Sequence, residues 1–134
     1  MTLKVEAAGI THRGTVRKRN EDCIAIAYWL SQETMEVARH FEYELDLPLA
    51  CVVADGMGGH NDGDQASLLV ARGLAPRLPA FSANKVAGSL RAVNAELYST
   101  VGEKPEPAGL GTTAAGIVIH GRGLSVFNVG DSRA

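Results

Sequence analysis

An α+β domain of layered sheets and helices is what this sequence predicts, and three observations carry it. With 46% hydrophobic and 21% charged residues, the 134-residue chain has the composition of one ordinary globular domain. Short apolar runs of strand length stand on either side of two longer stretches with helical periodicity. Neither an internal repeat nor a regular strand-helix alternation is present, which favours segregated layers over a parallel βαβ sheet.

Val5 to Thr11 reads as a short strand, His12 to Arg19 as a basic loop, and Asp22 to Trp29 as a second strand whose Ile24, Ile26 and Tyr28 alternate with small residues. Ser31 to Leu45 is polar, with Met35, Ala38 and Phe41 three apart, and is expected to be a modest surface helix or an extended excursion ending at Pro48. Leu49 to Ala54 is a continuous apolar run, expected as a buried strand entering a glycine-rich turn at Asp55-Gly56-Met57-Gly58-Gly59. One helical stripe follows in Ala66, Leu69, Val70, Gly73 and Leu74, closed by Pro76. A second follows in Val86, Leu90, Val93, Leu97 and Val101. Beyond a loop from Lys104 to Gly109, Thr112 to His120 and Leu124 to Val129 read as strands joined by a turn at His120-Gly121-Arg122-Gly123, and Gly130-Asp131-Ser132-Arg133-Ala134 closes the sequence.

The balance of 13 basic against 15 acidic residues gives a net charge of -2, which argues against a nucleic-acid or anionic-membrane partner. Cys23 and Cys51 lie in apolar segments and are expected as buried hydrophobes. No apolar run has the length of a signal peptide core or a membrane span, so the expected location is the cytoplasm.

Chemistry concentrates where apolar strands end: Glu21-Asp22 beside the second strand, Asp55 after Val53-Ala54, and Asp131 after Val129-Gly130. Strand ends can bring carboxylates distant in sequence to one rim of a sheet, and hard cations such as Mg²⁺ and Mn²⁺ prefer oxygen donors. The plainer reading is that each aspartate caps a turn beside glycine, and the glycines around Asp55 tilt that position toward function. Arg17, four residues before Glu21, is suited to a phosphate as a two-pronged donor, whereas Lys18 and Arg19 read as solvated surface. No Gly-x4-Gly-Lys-Ser/Thr loop, dinucleotide fingerprint or nucleophile elbow is present.

Four blocks together, Gly14 to Asp22, Val53 to His60, Gly111-Thr112-Thr113-Ala114 and Asn128 to Ala134, resemble those of PP2C-type (PPM) metal-dependent protein serine/threonine phosphatases, in the bacterial spelling Asp-Gly-Met-Gly-Gly. The resemblance implies a PP2C-like α-β-β-α sandwich of two antiparallel sheets flanked by helices. Residues 1–134 would form the N-terminal part of a single such domain, incomplete at its C-terminal end, with residues 29–48 as an insertion. It implies two Mn²⁺ or Mg²⁺ ions and a weaker third: Asp55 bridging, Gly56 offering its carbonyl, Glu21 serving the second ion, Asp22 supporting it, Asp131 holding the third, and Arg17 gripping the substrate phosphate. The implied partner is a phosphoprotein, the product of a serine/threonine kinase. Met57 stands where eukaryotic members carry a histidine proposed as general acid.

The family's later Asp-bearing blocks have no counterpart in these residues, so weak metal binding and little turnover are expected of the 134 residues alone. Uncovered sheet edges are expected to open a route to self-association. The alternative is a non-catalytic pseudophosphatase that keeps the fold to bind a partner.

Overall fold

The computed structural model describes residues 2–46, 48–58, 62–77, 83–102, 109–121 and 123–134, with the backbone alone at 83–84 and 101–102. In chain order the elements are β1 (Leu3–Gly9), β2 (Asp22–Ile26), β3 (Trp29–Ser31), β4 (Arg39–Leu45), β5 (Leu49–Met57), α1 (Gly63–Arg77), α2 (Ala83–Gly102), β6 (Gly111–Thr112), β7 (Ala114–His120) and β8 (Gly123–Val129). The strands form two antiparallel sheets: β1 with β4, and the order β3-β2-β5-β7-β8 with β6 paired to the far end of β5. The α+β class read from the sequence is the observed one.

Alternation along the central strand β5 decides which side of the larger sheet carries what. Ala50, Val52, Ala54 and Gly56 are buried, whereas Val53, Asp55 and Met57 are exposed. Because cross-strand partners share a face, Ala25, Val52 and Gly116 fall on one side, and Ile24, Val53 and Ala115 on the other. The first side takes both helices. Small residues at Ala25, Ala50 and Ala114 let α1 approach, and Val70, Leu74, Val93, Leu97, Val118 and Phe127 complete that core. Each such large apolar side chain contributes about 1.5–3 kcal/mol on burial. An Arg77–Glu96 ion pair ties the last turn of α1 to α2.

On the opposite side the end of β1 lies over Ile24, Ile26 and Trp29: a Cβ added at Gly9 would sit 2.7 Å from the Ile24 Cδ1 and 3.0 Å from both the Ile26 Cδ1 and the Trp29 ring. Beyond that contact, a groove of about 590 Å³ opens between β1 and the sheet, with Val53, Ile117 and Ile119 on its floor. Among the described residues the layers therefore run helices, larger sheet, smaller sheet.

Four local expectations need correction. Of the two forms expected for Ser31 to Leu45, the helix is absent and the extended one is found; its second half is β4, because Phe41, Tyr43 and Leu45 repeat every second residue and only a strand puts them on one side. Phe41 packs 5.1 Å from the Trp29 ring and 6.0 Å from Tyr43, and the Arg39 guanidinium lies 5.9 Å and 5.6 Å from the Trp29 and Phe41 rings. The expected strand from Asp22 to Trp29 instead folds back at Ala27-Tyr28, where Ala27 takes φ 52° and its N–H is held by the Ala50 carbonyl at 2.9 Å. The apolar strand does not stop before Asp55 but runs to Met57, since Asp22 pairs with Asp55 and Thr112 with Gly56. Helix α1 is not closed at Pro76, which lies inside its span Gly63–Arg77. Gly59, His60, the Val101 side chain and the loop at 104–108 lie outside the described residues.

Candidate metal centre

The register of β2 against β5 puts Asp22 directly opposite Asp55 on the side of the sheet away from the helices. Burial, then the charge of Asp55, then a hydrogen bond shared with it, raise the Asp22 carboxyl above its usual 3.8. The Arg17 charge lowers it and the Glu21 charge raises it further. Two carboxylates forced together in this way can keep a proton between them or exchange it for a cation. The donor set is therefore one that a hard divalent ion fits: anionic oxygens from two strands, facing a polar cleft of about 290 Å³ that is also lined by Thr11, His12 and Ser132. Among the described residues no three carboxylate, imidazole or thiol groups converge into a closed cage.

Glu21 reaches this place through its backbone as well as its side chain. Its carbonyl accepts the Gly56 N–H at 3.0 Å and the hydroxyl of the fully buried Ser67 at 2.6 Å, while its carboxylate accepts Arg17 Nη1 at 2.5 Å. Gly56 has no alternative at its position. A Cβ there would stand 1.9 Å from the Gly63 carbonyl oxygen, so β5 and the start of α1 touch backbone to backbone. Gln32 extends the same brace, donating from Nε2 to the Asp64 carbonyl at 2.7 Å and to Ser67 Oγ at 2.9 Å. The basic loop is anchored too: Arg13 Nη1 donates to the Arg17 carbonyl at 2.9 Å, and Arg19 stands 3.5 Å from Asp64. Arg19 is thus paired rather than merely solvated.

Asp131 does not join the Asp22–Asp55 pair directly. It lies exposed on the turn after β8, where Gly130 takes φ 98°, and that turn reaches Asp55 through its neighbour: Ser132 Oγ lies 2.5 Å from Thr113 Oγ1, which accepts the Asp55 N–H at 3.0 Å. Thr112 Oγ1 donates to the Asp55 carbonyl at 3.0 Å. The sequence reading assigned no role to Thr112, Thr113, Gln32, Gly63, Ser67 or Ser132. The Thr-Thr block was visible as a motif, but only the β5–β6 and β5–β7 register shows that it abuts Asp55.

No family model matches the chain. It is 31% identical over 139 residues to the serine/threonine protein phosphatase PstP of Mycobacterium tuberculosis, a match covering 99% of this chain and 23% of that protein. It is 30% identical over 131 residues to the serine/threonine phosphatase stp of Listeria monocytogenes, covering 92% and 46%. The chain thus spans about a quarter to a half of the relatives it matches. Among solved structures, the catalytic domain of PstP in complex with two manganese ions superposes with a TM-score of 0.69 at 30% identity, covering 98% of this chain and 50% of that one. The phosphatase Stp1 of Staphylococcus aureus gives 0.65 at 27% identity, covering 98% and 47%. Over nearly the whole of its length, then, the chain is similar in sequence and backbone to serine/threonine phosphatases of the PP2C-type, or PPM, family.

Proposed function

We propose that residues 1–134 are the N-terminal part of a single PP2C-like domain, and that the whole protein hydrolyses phosphoserine and phosphothreonine in proteins with the help of bound Mn²⁺ or Mg²⁺. The observation that carries this reading is the cross-strand pair Asp22–Asp55 beside the Arg17–Glu21 ion pair, an anionic site with a guanidinium at its rim. The two manganese ions in the PstP catalytic domain support it. When bound, such ions neutralise phosphate charge and make a water acidic enough to attack phosphorus.

The residues of this chain divide the remaining work. Asp55, held on both sides by its strand partners, presents its carboxylate to the cleft together with Asp22. Gly56 would add its carbonyl and Glu21 its carboxylate, and Asp131, on the adjoining turn, would hold a third, weaker ion. Arg17 is 64% exposed at its side chain and, among the described residues, its guanidinium is held by Glu21 alone, so it can turn a donor edge to a phosphate. Met57 offers no proton, so the leaving group must take one from elsewhere.

The proposed substrate is the product of a protein serine/threonine kinase. The proposed compartment is the cytoplasm, a reading supported by the free thiols of Cys23 and Cys51. No described helix is long and apolar enough to cross a membrane.

The complete reading frame should release phosphate from a phosphothreonine peptide when Mn²⁺ is present, and Asp55→Asn should abolish the release. Absence of release by the wild-type protein over a full Mn²⁺ titration would overturn the reading. Arg17→Ala should raise KM about tenfold or more, the cost of a charge-assisted hydrogen bond.

A further inference from the structure

In a regular antiparallel ladder Asp55 and Thr113 would exchange two backbone hydrogen bonds, because the register that pairs Gly56 with Thr112 and Val53 with Ala115 sets them opposite each other. Only one of the two is made. The Thr113 N–H donates to the Asp55 carbonyl at 2.9 Å, but the Asp55 N–H is diverted to the Thr113 side chain, Oγ1, at 3.0 Å. The Thr113 carbonyl, released from the ladder, lies 2.9 Å from Thr112 Oγ1, whose one proton it shares with the Asp55 carbonyl at 3.0 Å. This is where β6 and β7 are interrupted.

The same hydroxyl meets the turn that carries Asp131. Besides accepting from Asp55, Thr113 Oγ1 shares a hydrogen bond with Ser132 Oγ, 2.5 Å away. The Ser132 carbonyl is bound in turn by Asn128 Nδ2. Gly130 packs against the Thr113 methyl so closely that a Cβ on the glycine would lie 2.9 Å from Thr113 Cγ2. Thr113 itself is 3% exposed, so its hydroxyl has these protein partners and little access to water.

We propose that Thr113 is a positioning residue: its side chain replaces its own carbonyl in the ladder and thereby fixes the Asp55 backbone against the Asp131 turn, setting two candidate ligand positions in one frame. This rests on the metal-dependent reading above, which assigns Asp55 and Asp131 to the ions. Nothing in the ladder's own hydrogen bonding would couple them, since Asp55 lies in β5 and Asp131 on the turn after β8, and these two strands are not neighbours in the larger sheet.

The decisive variant is Thr113→Val in the full-length protein, which keeps shape and removes the hydroxyl. Amide hydrogen exchange at Asp55, measured without metal, should accelerate about tenfold, while amides of Val70 and Leu74 in α1 keep their protection. Calorimetric Mn²⁺ affinity should fall by a similar factor, Thr113→Ser should restore both readouts, and Ser132→Ala should weaken Mn²⁺ binding with a smaller change at the Asp55 amide. Unchanged Asp55 exchange in Thr113→Val, or failure of Thr113→Ser to restore it, would overturn the proposal even in an active phosphatase. If the valine variant unfolds, the serine and Ser132→Ala variants decide: a serine variant that exchanges faster at Asp55, or an alanine variant with wild-type Mn²⁺ affinity, overturns it. An inactive wild-type protein whose Asp55 amide still depends on the Thr113 hydroxyl would sink the phosphatase reading and leave the strut standing.

Discussion

Gly56 and Asp22 show how single positions near the centre are constrained in opposite senses. Gly56 is fixed by contact: with 1.9 Å between a hypothetical Cβ and the Gly63 oxygen, Gly56→Ala must push β5 from α1. A loss of about 3 kcal/mol in chemical denaturation is the expected outcome. Asp22 is held in an unfavourable neighbourhood by burial and by the charge of Asp55, so Asp22→Asn should raise the melting temperature of the metal-free protein while the Mn²⁺-induced rise in melting temperature shrinks. A variant that melts lower than wild type without metal would contradict that. Burial pushes the Cys23 thiol from its usual 9.0 up to about 11. Because the folded protein holds this proton more tightly than the unfolded chain does, its contribution is intact below pH 9 and is lost as pH rises toward 11. Denaturation midpoints measured across that window should decline, and Cys23→Ala should flatten the decline.

Among the elements, α1 matters most because it serves both the core and the site. Its Leu74 is completely buried, its Ser67 holds the Glu21 carbonyl, and its first residue touches Gly56. Leu74→Ala is therefore expected to cost about 3 kcal/mol, whereas Arg77→Ala, which breaks a solvent-exposed pair with Glu96, should cost about 0.5 kcal/mol. Urea titrations of the two variants separate the effects: equal losses would mean that the ion pair is stronger than its exposure allows. Strand β4 shows the limit of reading elements one at a time. Spacing of three at Met35, Ala38 and Phe41 suggested a helix, but the spacing of two at Phe41, Tyr43 and Leu45 prevails because β1 is available to pair with it from Leu3 to Gly9.

For the molecule as a whole, the two sides of the larger sheet differ in cover. Among the described residues the helices bury one side, whereas on the other the end of β1 lies over Ile24, Ile26 and Trp29. Beyond that cover Val53 is 43% exposed, Leu124 58% and Val126 56%, and β8 is an outer strand of the sheet. Residues 1–134 expressed by themselves should associate in a concentration-dependent way in sedimentation velocity, and Val126→Lys should reduce that association. A monomer at every concentration would exclude this route.

The sequence by itself determined the class of fold, the two helices and the places of Arg17, Glu21, Asp22, Asp55, Gly56 and Asp131 around its apolar strands, because apolar periodicity and glycine punctuation are local properties of the chain. Only the tertiary structure decided that Asp22 faces Asp55, that Ser67 and Gly63 brace Glu21 and Gly56, and that Thr113 takes the Asp55 N–H and reaches the Asp131 turn. Those contacts join residues up to 58 positions apart, and cross-strand register, which one sequence does not encode locally, selects the partners.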